Sequence, residues 1–187
     1  MQGKRMLEVD CCFMSTKFNV KIPPEVNLEI KDRTIYVKGQ KGELSCKIEW
    51  PFLSIEIKEG LLTINVQKDT NFQKSIGGTL AANVRNMIKG VVEGYTATLE
   101  LVYSHFPASL KLNGRKLIIE NFVGERKNRE VEIPEGVDIK IHGTQITLSG
   151  IDKYLVGQTA GSIENVAKLK HKDRRVFKDG IFITKKP

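Results

Sequence analysis

Apolar and polar residues alternate in short runs through much of this chain, and a period of two is the mark of β-strands. Val26, Leu28 and Ile30, followed by Ile35 and Val37, share one face of an extended backbone, with Asn27 and Glu29 on the other. Val137, Ile139 and Ile141, followed by Ile146 and Leu148, repeat the pattern, with Asp138 and Lys140 outward. The polar breaks from Lys31 to Thr34 and from His142 to Gln145 are where each hairpin turns. Ile55 and Ile57, then Leu62, Ile64 and Val66, flank a further turn at Glu59-Gly60, and Tyr95, Ala97, Leu99, Leu101 and Tyr103 alternate without interruption. Asn113-Gly114 predicts another hairpin turn. Two stretches change to a helical period. Phe72, Ile76, Leu80, Val84 and Ile88 recur at every fourth position, as do Leu155, Thr159 and Ile163 before Val166. Gly90 is placed to stop the first helix.

The chain contains itself twice. Residues 22–39 and 133–150 align without a gap at an offset of 111, where Ile22, Pro23, Val26, Ile30, Ile35 and Gly39 meet identical residues. Residues 80–87 (LAANVRNM) resemble 159–166 (TAGSIENV), at an offset of 79. Small residues Ala81, Ala82, Ala160 and Gly161 let both helices approach a sheet closely. The two offsets differ, so strands that follow the hairpin in the first copy are expected to precede it in the second. The fold class is α+β, a tandem duplication of a small antiparallel sheet covered by a helix. The expected division is an N-terminal extension over 1–17, disordered, a first domain over 18–90, and a second over 91–187 that ends in a basic segment.

Charge changes the picture from fold to partner. The net charge is +8 with a pI near 9.4. Residues 168–187 hold eight basic residues against Asp173 and Asp179, so +6 of that excess sits in the last twenty positions. A concentration of this kind suits a polyanion: RNA, DNA or an acidic membrane surface. The segment reads as separable from both sheets. It lacks an apolar helical face, which disfavours a membrane, and no apolar run reaches the roughly 18 residues needed to span one. Glu8 and Asp10 break any leader-like stretch. Cys11, Cys12 and Cys46 form no C-x-x-C pair, and Cys46 alternates with Leu44 and Ile48 as a small core residue.

Catalytic chemistry is not written in the chain. None of the phosphate-loop, dinucleotide, zinc-protease or nucleophile-elbow motifs occurs. Gly77-Gly78, read as the start of a helix, suits close packing better than phosphate binding, because no Lys or Ser follows at the required spacing. His105, His142 and His171 lie in separate segments with no carboxylate or cysteine beside them. Glu56, Glu100, Glu120 and Glu132 alternate with apolar residues as solvated strand faces do. No enzyme, metal, cofactor or small-molecule substrate is expected.

Residues 83–109, NVRNMIKGVVEGYTATLELVYSHFPAS, resemble the universal large-subunit ribosomal protein L-six family, called L-nine in eukaryotes. The most specific pieces are N-M-I-K-G-V (86–91) and V-Y-S-H-F-P (102–107), supported by ENFVGERKNREVEIP (120–134) and KDRRVFKDGIFI (172–183). The resemblance implies a structural protein on large-subunit ribosomal RNA near the sarcin–ricin loop and stalk base, beside other ribosomal proteins. It also implies cytoplasmic ribosomes, with nucleolar assembly in a eukaryote, and RNA contact through the second domain and C-terminal segment. The candidate contacts are Lys168, Lys170, His171, Lys172, Arg174, Arg175, Lys178, Lys185 and Lys186; then Arg126, Lys127 and Arg129; then Arg85, Asn86 and Lys89 on the first helix. Double-stranded RNA is held chiefly through phosphates and ribose hydroxyls. Aromatic residues make up only 7% of the chain, and a single-strand platform of stacked aromatics is not expected. The alternative reading is a free-standing RNA- or protein-interaction module such as an assembly factor.

Overall fold

The computed structural model describes residues 17–58, 60–67, 70–169, 172–173 and 175–187; the expected extension up to residue 16, with Cys11 and Cys12, lies outside them. The first unit contains β1 (Lys17–Lys21), β2 (Asn27–Lys31), β3 (Thr34–Gly39), β4 (Gly42–Lys47), β5 (Leu53–Lys58), β6 (Leu61–Val66) and α1 (Asn71–Val92). The second contains β7 (Tyr95–Val102), β8 (Ser109–Asn113), β9 (Lys116–Glu120), a 3-10 turn (Phe122–Gly124), β10 (Arg129–Glu132), β11 (Val137–His142), β12 (Gln145–Gly150), α2 (Lys153–Val166) and β13 (Gly180–Lys185). Lys17, assigned above to the extension, is the first residue of β1 and pairs with Asn65.

The α+β class and the duplication hold, but each unit has two sheets, not one, and the repeat is registered differently. One sheet reads β1-β6-β5 in the first unit and β11-β12-β7, extended by β13, in the second. The other is a three-stranded meander, β2-β3-β4 or β8-β9-β10. β5 and β6 correspond to β11 and β12 at a constant offset of 84 residues, while β2 to β8 and α1 to α2 are each 82 apart. The offset of 111 therefore matches two hairpins that are not counterparts: β2-β3 of a meander with β11-β12 ahead of a helix. Element order is the same in both units, which overturns the expected rearrangement. The physical reason is that alternating apolar residues around a two-residue turn satisfy the same local demands wherever a hairpin sits.

Local chemistry explains the elements. Asp32 and Arg33 both have positive φ, 46° and 60°, as a two-residue I′ hairpin loop requires. The turn predicted at Asn113-Gly114 lies one residue on: Asn113 pairs with Lys116, leaving Gly114 and Arg115 as the loop, with Gly114 at φ 59°. Thr70 caps α1 by accepting from the Gln73 N–H, and Asp152 caps α2 by accepting from the Tyr154 N–H at 2.8 Å. Gly77 and Gly78 lie inside α1, and a Cβ on Gly77 would come within 2.9 Å of Phe18 and Val66, so the pair serves packing.

α1 closes the first core with Leu80, Ala81, Val84, Ile88 and Val91 against Val20, Ile35, Val37, Leu62 and Ile64. α2 closes the second with Val156, Ala160 and Ile163 against Ala97, Leu99, Leu117, Ile119, Ile146 and Leu148. Cys46 is half-buried against the first core, and burial raises its thiol pKa. Phe72, expected on the apolar face of α1, is exposed in the first turn and stands edge-on to Trp50 with centroids 5.9 Å apart.

Gly90 does not stop α1. The helix continues to Val92, past the boundary expected at residue 90, and Gly94, at φ 78°, supplies the left-handed residue that ends it. Lys41 reinforces that end by donating to the Glu93 carbonyl. Gly90 is buried where α1 meets the β12–α2 connection, and an added Cβ would collide with the Ile151 carbonyl oxygen. Gly90→Ala is therefore expected to lower stability by about 2 kcal/mol, because overpacking against backbone outweighs alanine's better helix propensity. Chemical denaturation of the variant checks this; a midpoint at or above the wild-type value would refute the close approach.

Candidate nucleic-acid interface

Three stretches distant in the chain meet at one end of the second unit: the turn after β7, the 3-10 turn with the loop leading to β10, and the segment between α2 and β13. The Phe106 ring lies over Gly124, 3.6 Å from where a Cβ would stand, and Asn121 Nδ2 donates to the Pro107 carbonyl at 2.9 Å. Asp179, one residue before β13, holds the first and third stretches together. One carboxylate oxygen accepts from the backbone N–H of Ser104 at 2.6 Å and of His105 at 3.3 Å, and the other lies 2.9 Å from His105 Nδ1.

Burial pushes the Asp179 pKa up, but the hydrogen bonds from Ser104 and His105 outweigh it and hold it at about 2. The carboxylate is thus ionised at neutral pH and can only accept, so His105 Nδ1 carries the proton. The His105 ring stacks on Phe177 with centroids 4.5 Å apart, and Lys172 Nζ stands 4.5 Å from the centroid of that same phenyl ring. The chain as a sequence offers His105 no carboxylate, because its partner is 74 residues away. The aromatic content is likewise low overall yet gathered here, with Tyr103 and Phe106 exposed beside His105 and Phe177.

Arg129 is already engaged within the protein. Its Nη1 donates to the Val166 carbonyl at 2.6 Å and the Lys168 carbonyl at 3.0 Å, its Nε and Nη2 engage Glu125 at 2.9 and 2.5 Å, and its guanidinium covers Phe122 at 4.4 Å. With the side chain only 16% exposed, this arginine ties the loop before β10 to the end of α2 and has little left to offer RNA.

The other candidates divide by position. Arg126, Lys127, Lys168, Lys172, Arg175 and Lys178 are exposed at the end just described, while Lys170, His171 and Arg174 lie outside the described residues. Lys185 and Lys186 lie at the opposite end of β13, about 17 Å of extended chain from Gly180, and Lys186 borders a groove between α1 and α2. The basic run is therefore not one patch. Arg85, Asn86 and Lys89 stay with the first unit. Arg85 Nη2 donates to the Asn19 carbonyl at 3.1 Å, Lys89 Nζ is 3.8 Å from Glu93, and Asn86 borders the same groove as Lys186.

The model of the family described as Ribosomal protein L6 matches residues 22–94 and 106–180. The chain belongs to that family. The two L6 spans begin 84 residues apart, the offset that relates β5-β6 to β11-β12. Two curated relatives carry the name "Large ribosomal subunit protein uL6". The one from Methanosarcina mazei is 38% identical over 167 residues, 89% of this chain and 95% of the relative. The one from Methanocella arvoryzae is 38% identical over 168 residues, with the same coverage. As an L6 protein the chain is a structural, non-enzymatic component of the ribosome. The motifs that carried the resemblance occupy definite places: N-M-I-K-G-V is the close-packed end of α1, and the other three converge on the end of the second unit organised by Asp179 and Arg129.

Proposed function

We propose that this L6 protein serves translation as a structural constituent of the large ribosomal subunit, and that the Asp179 end of its second unit grips ribosomal RNA near the sarcin–ricin loop and the stalk base. Neighbouring ribosomal proteins at the stalk base are the further partners. The observation that carries the reading is the convergence of three family-like motifs with Arg126, Lys127, Lys168, Lys172, Arg175 and Lys178 on one rigidly tied surface. The large-subunit names of the two relatives support it. The chemistry is phosphate neutralisation by exposed Lys and Arg, with the arginine and carboxylate beneath acting as struts.

Reversing Lys168, Arg175 and Lys178 to Glu is expected to weaken binding to a large-subunit RNA fragment strongly and to flatten the dependence of log K on log salt by about 2 to 3 units of slope. All three side chains are exposed, so circular dichroism should report an unchanged fold. Reversing Lys21, Lys38 and Lys58 in the first unit should do much less; two of these already sit in exposed cross-strand or same-strand pairs, Lys38 with Glu43 at 2.9 Å and Lys58 with Glu56 at 2.6 Å. An unchanged slope in the second-unit variant would remove this surface from the RNA contact.

A further inference from the structure

We infer that His105 is itself an RNA contact of the second unit, presenting Nε2 to a phosphate oxygen, and that Asp179 is the residue that positions it. The inference rests on the RNA-binding reading of this surface and adds to it a residue that the basic-charge argument passes over. His105 is more than a core histidine with a satisfied ring. Its side chain is 37% exposed while Asp179 beneath it is 2% exposed, so one ring nitrogen faces a buried anion and the ring edge faces solvent. Nδ1 is occupied by Asp179 and the Ser104 hydroxyl, 2.9 and 3.0 Å away, and no described hydrogen bond engages Nε2. Stacking on Phe177 fixes the ring plane, and the two backbone bonds to Asp179 fix the loop that carries it. A side chain held at three points with one polar atom left over is preorganised for a ligand at that atom.

The chemistry at Nε2 selects an anion. With the Nδ1 proton given to Asp179, neutral His105 has only a lone pair at Nε2. A phosphate arriving there places a second negative charge on the far side of the ring, so two anions flank the imidazole and favour the imidazolium, which donates from both nitrogens. The charged groups nearby are Asp179, Lys172 over Phe177, and Lys168, Lys178 and Glu164 around a cavity of about 380 Å³ that Phe177 and Asp179 also line. RNA binding near neutral pH should therefore take up part of a proton at His105.

The test uses the full chain and the same large-subunit RNA fragment, with calorimetry in two buffers of different ionisation enthalpy. The wild type should bind with net proton uptake. His105→Ala should bind about five- to tenfold more weakly and lose the uptake, with circular dichroism showing that the second unit is still folded at the binding temperature. His105→Gln, whose amide N–H stands near the Nε2 position, should recover much of the affinity without the uptake. Asp179→Asn should weaken binding as His105→Ala does. In the unaltered protein with ¹⁵N-labelled imidazoles, the His105 Nε2 resonance should move on RNA addition. Binding by His105→Ala within twofold of wild type, with proton uptake intact, or an Nε2 resonance that RNA leaves in place, would overturn the contact. If reversal of Lys168, Arg175 and Lys178 still weakens binding in that case, only the histidine assignment falls. If the wild-type protein fails to bind the fragment at all, the RNA-binding reading of the surface falls with it.

Discussion

A chain ending at Lys178 is expected to lose the folded second unit. The sequence treats residues 168–187 as a segment separable from both sheets, but β13 is a full strand of the second sheet, paired with β7 from Gly180↔Val102 to Ile183↔Leu99. Ile181 is buried in the core, and Asp179 anchors the Ser104–His105 turn. Removing a buried isoleucine alone costs about 2–5 kcal/mol. Leaving the Ser104 and His105 donors without their carboxylate adds about 1–3 kcal/mol, and the lost ladder exposes one side of β7. Together these reach the roughly 5–15 kcal/mol by which a domain is stable at all. Thermal melting followed by circular dichroism should show loss of part of the transition, and proteolysis should cut first within residues 95–178. A full-amplitude melt at the wild-type temperature would show that β13 is dispensable. For the same reason the proposed RNA surface is properly probed by charge reversal and not by truncation.

The second large effect separates the two cores. Leu62 on β6 and Ile146 on β12 are structural counterparts, each fully buried on the central strand of its sheet. An aspartate at either place costs several kcal/mol or more, because the core offers no partner for the carboxylate. We propose that the units are separate folding domains meeting near residues 90–94, so that Leu62→Asp unfolds the first and Ile146→Asp the second. Hydrogen exchange mapped by peptide is the measurement. Each variant should lose protection in its own unit and keep it in the other. Loss in both units from either substitution would mean that the seam at Gly90 and Ile151 binds them into one cooperative body.

The legible parts of this fold are the ones set by local chemistry. Alternation placed the β2-β3 and β11-β12 hairpins, with turns between Lys31 and Thr34 and between His142 and Gln145. The helical period placed α1 and α2. What could not be read locally was pairing over distance. The same alternation that reveals a hairpin made two unrelated hairpins align, and the helix-derived offset of 79 lay closer to the structural value of 82 to 84. Gly90 shows the other limit: a glycine near a helix end signals a stop, whereas here it admits a carbonyl from the neighbouring unit. In the candidate site, charge pointed to one end of the chain but could not sort its members. Arg129 is consumed by carbonyls and Glu125, Lys185 and Lys186 are carried away along β13, and His105 gains its carboxylate only when β13 docks.

That docking has a consequence in time. β7 opens the second unit and β13, its partner, is the last strand of that unit, so the sheet is closed by the two extremes of its own stretch of sequence. The first unit contains all its strands and its helix by Val92 and can fold while synthesis continues. The second must hold β7 with one edge unpaired until the residues of β13 have left the ribosome that is making them. Asp179 arrives with that strand, so His105 lacks this carboxylate partner on any chain that stops short of β13. The proposed RNA surface is thereby complete only once β13 has docked, and a product that stops short of that strand carries the preceding basic residues without the geometry that aims them.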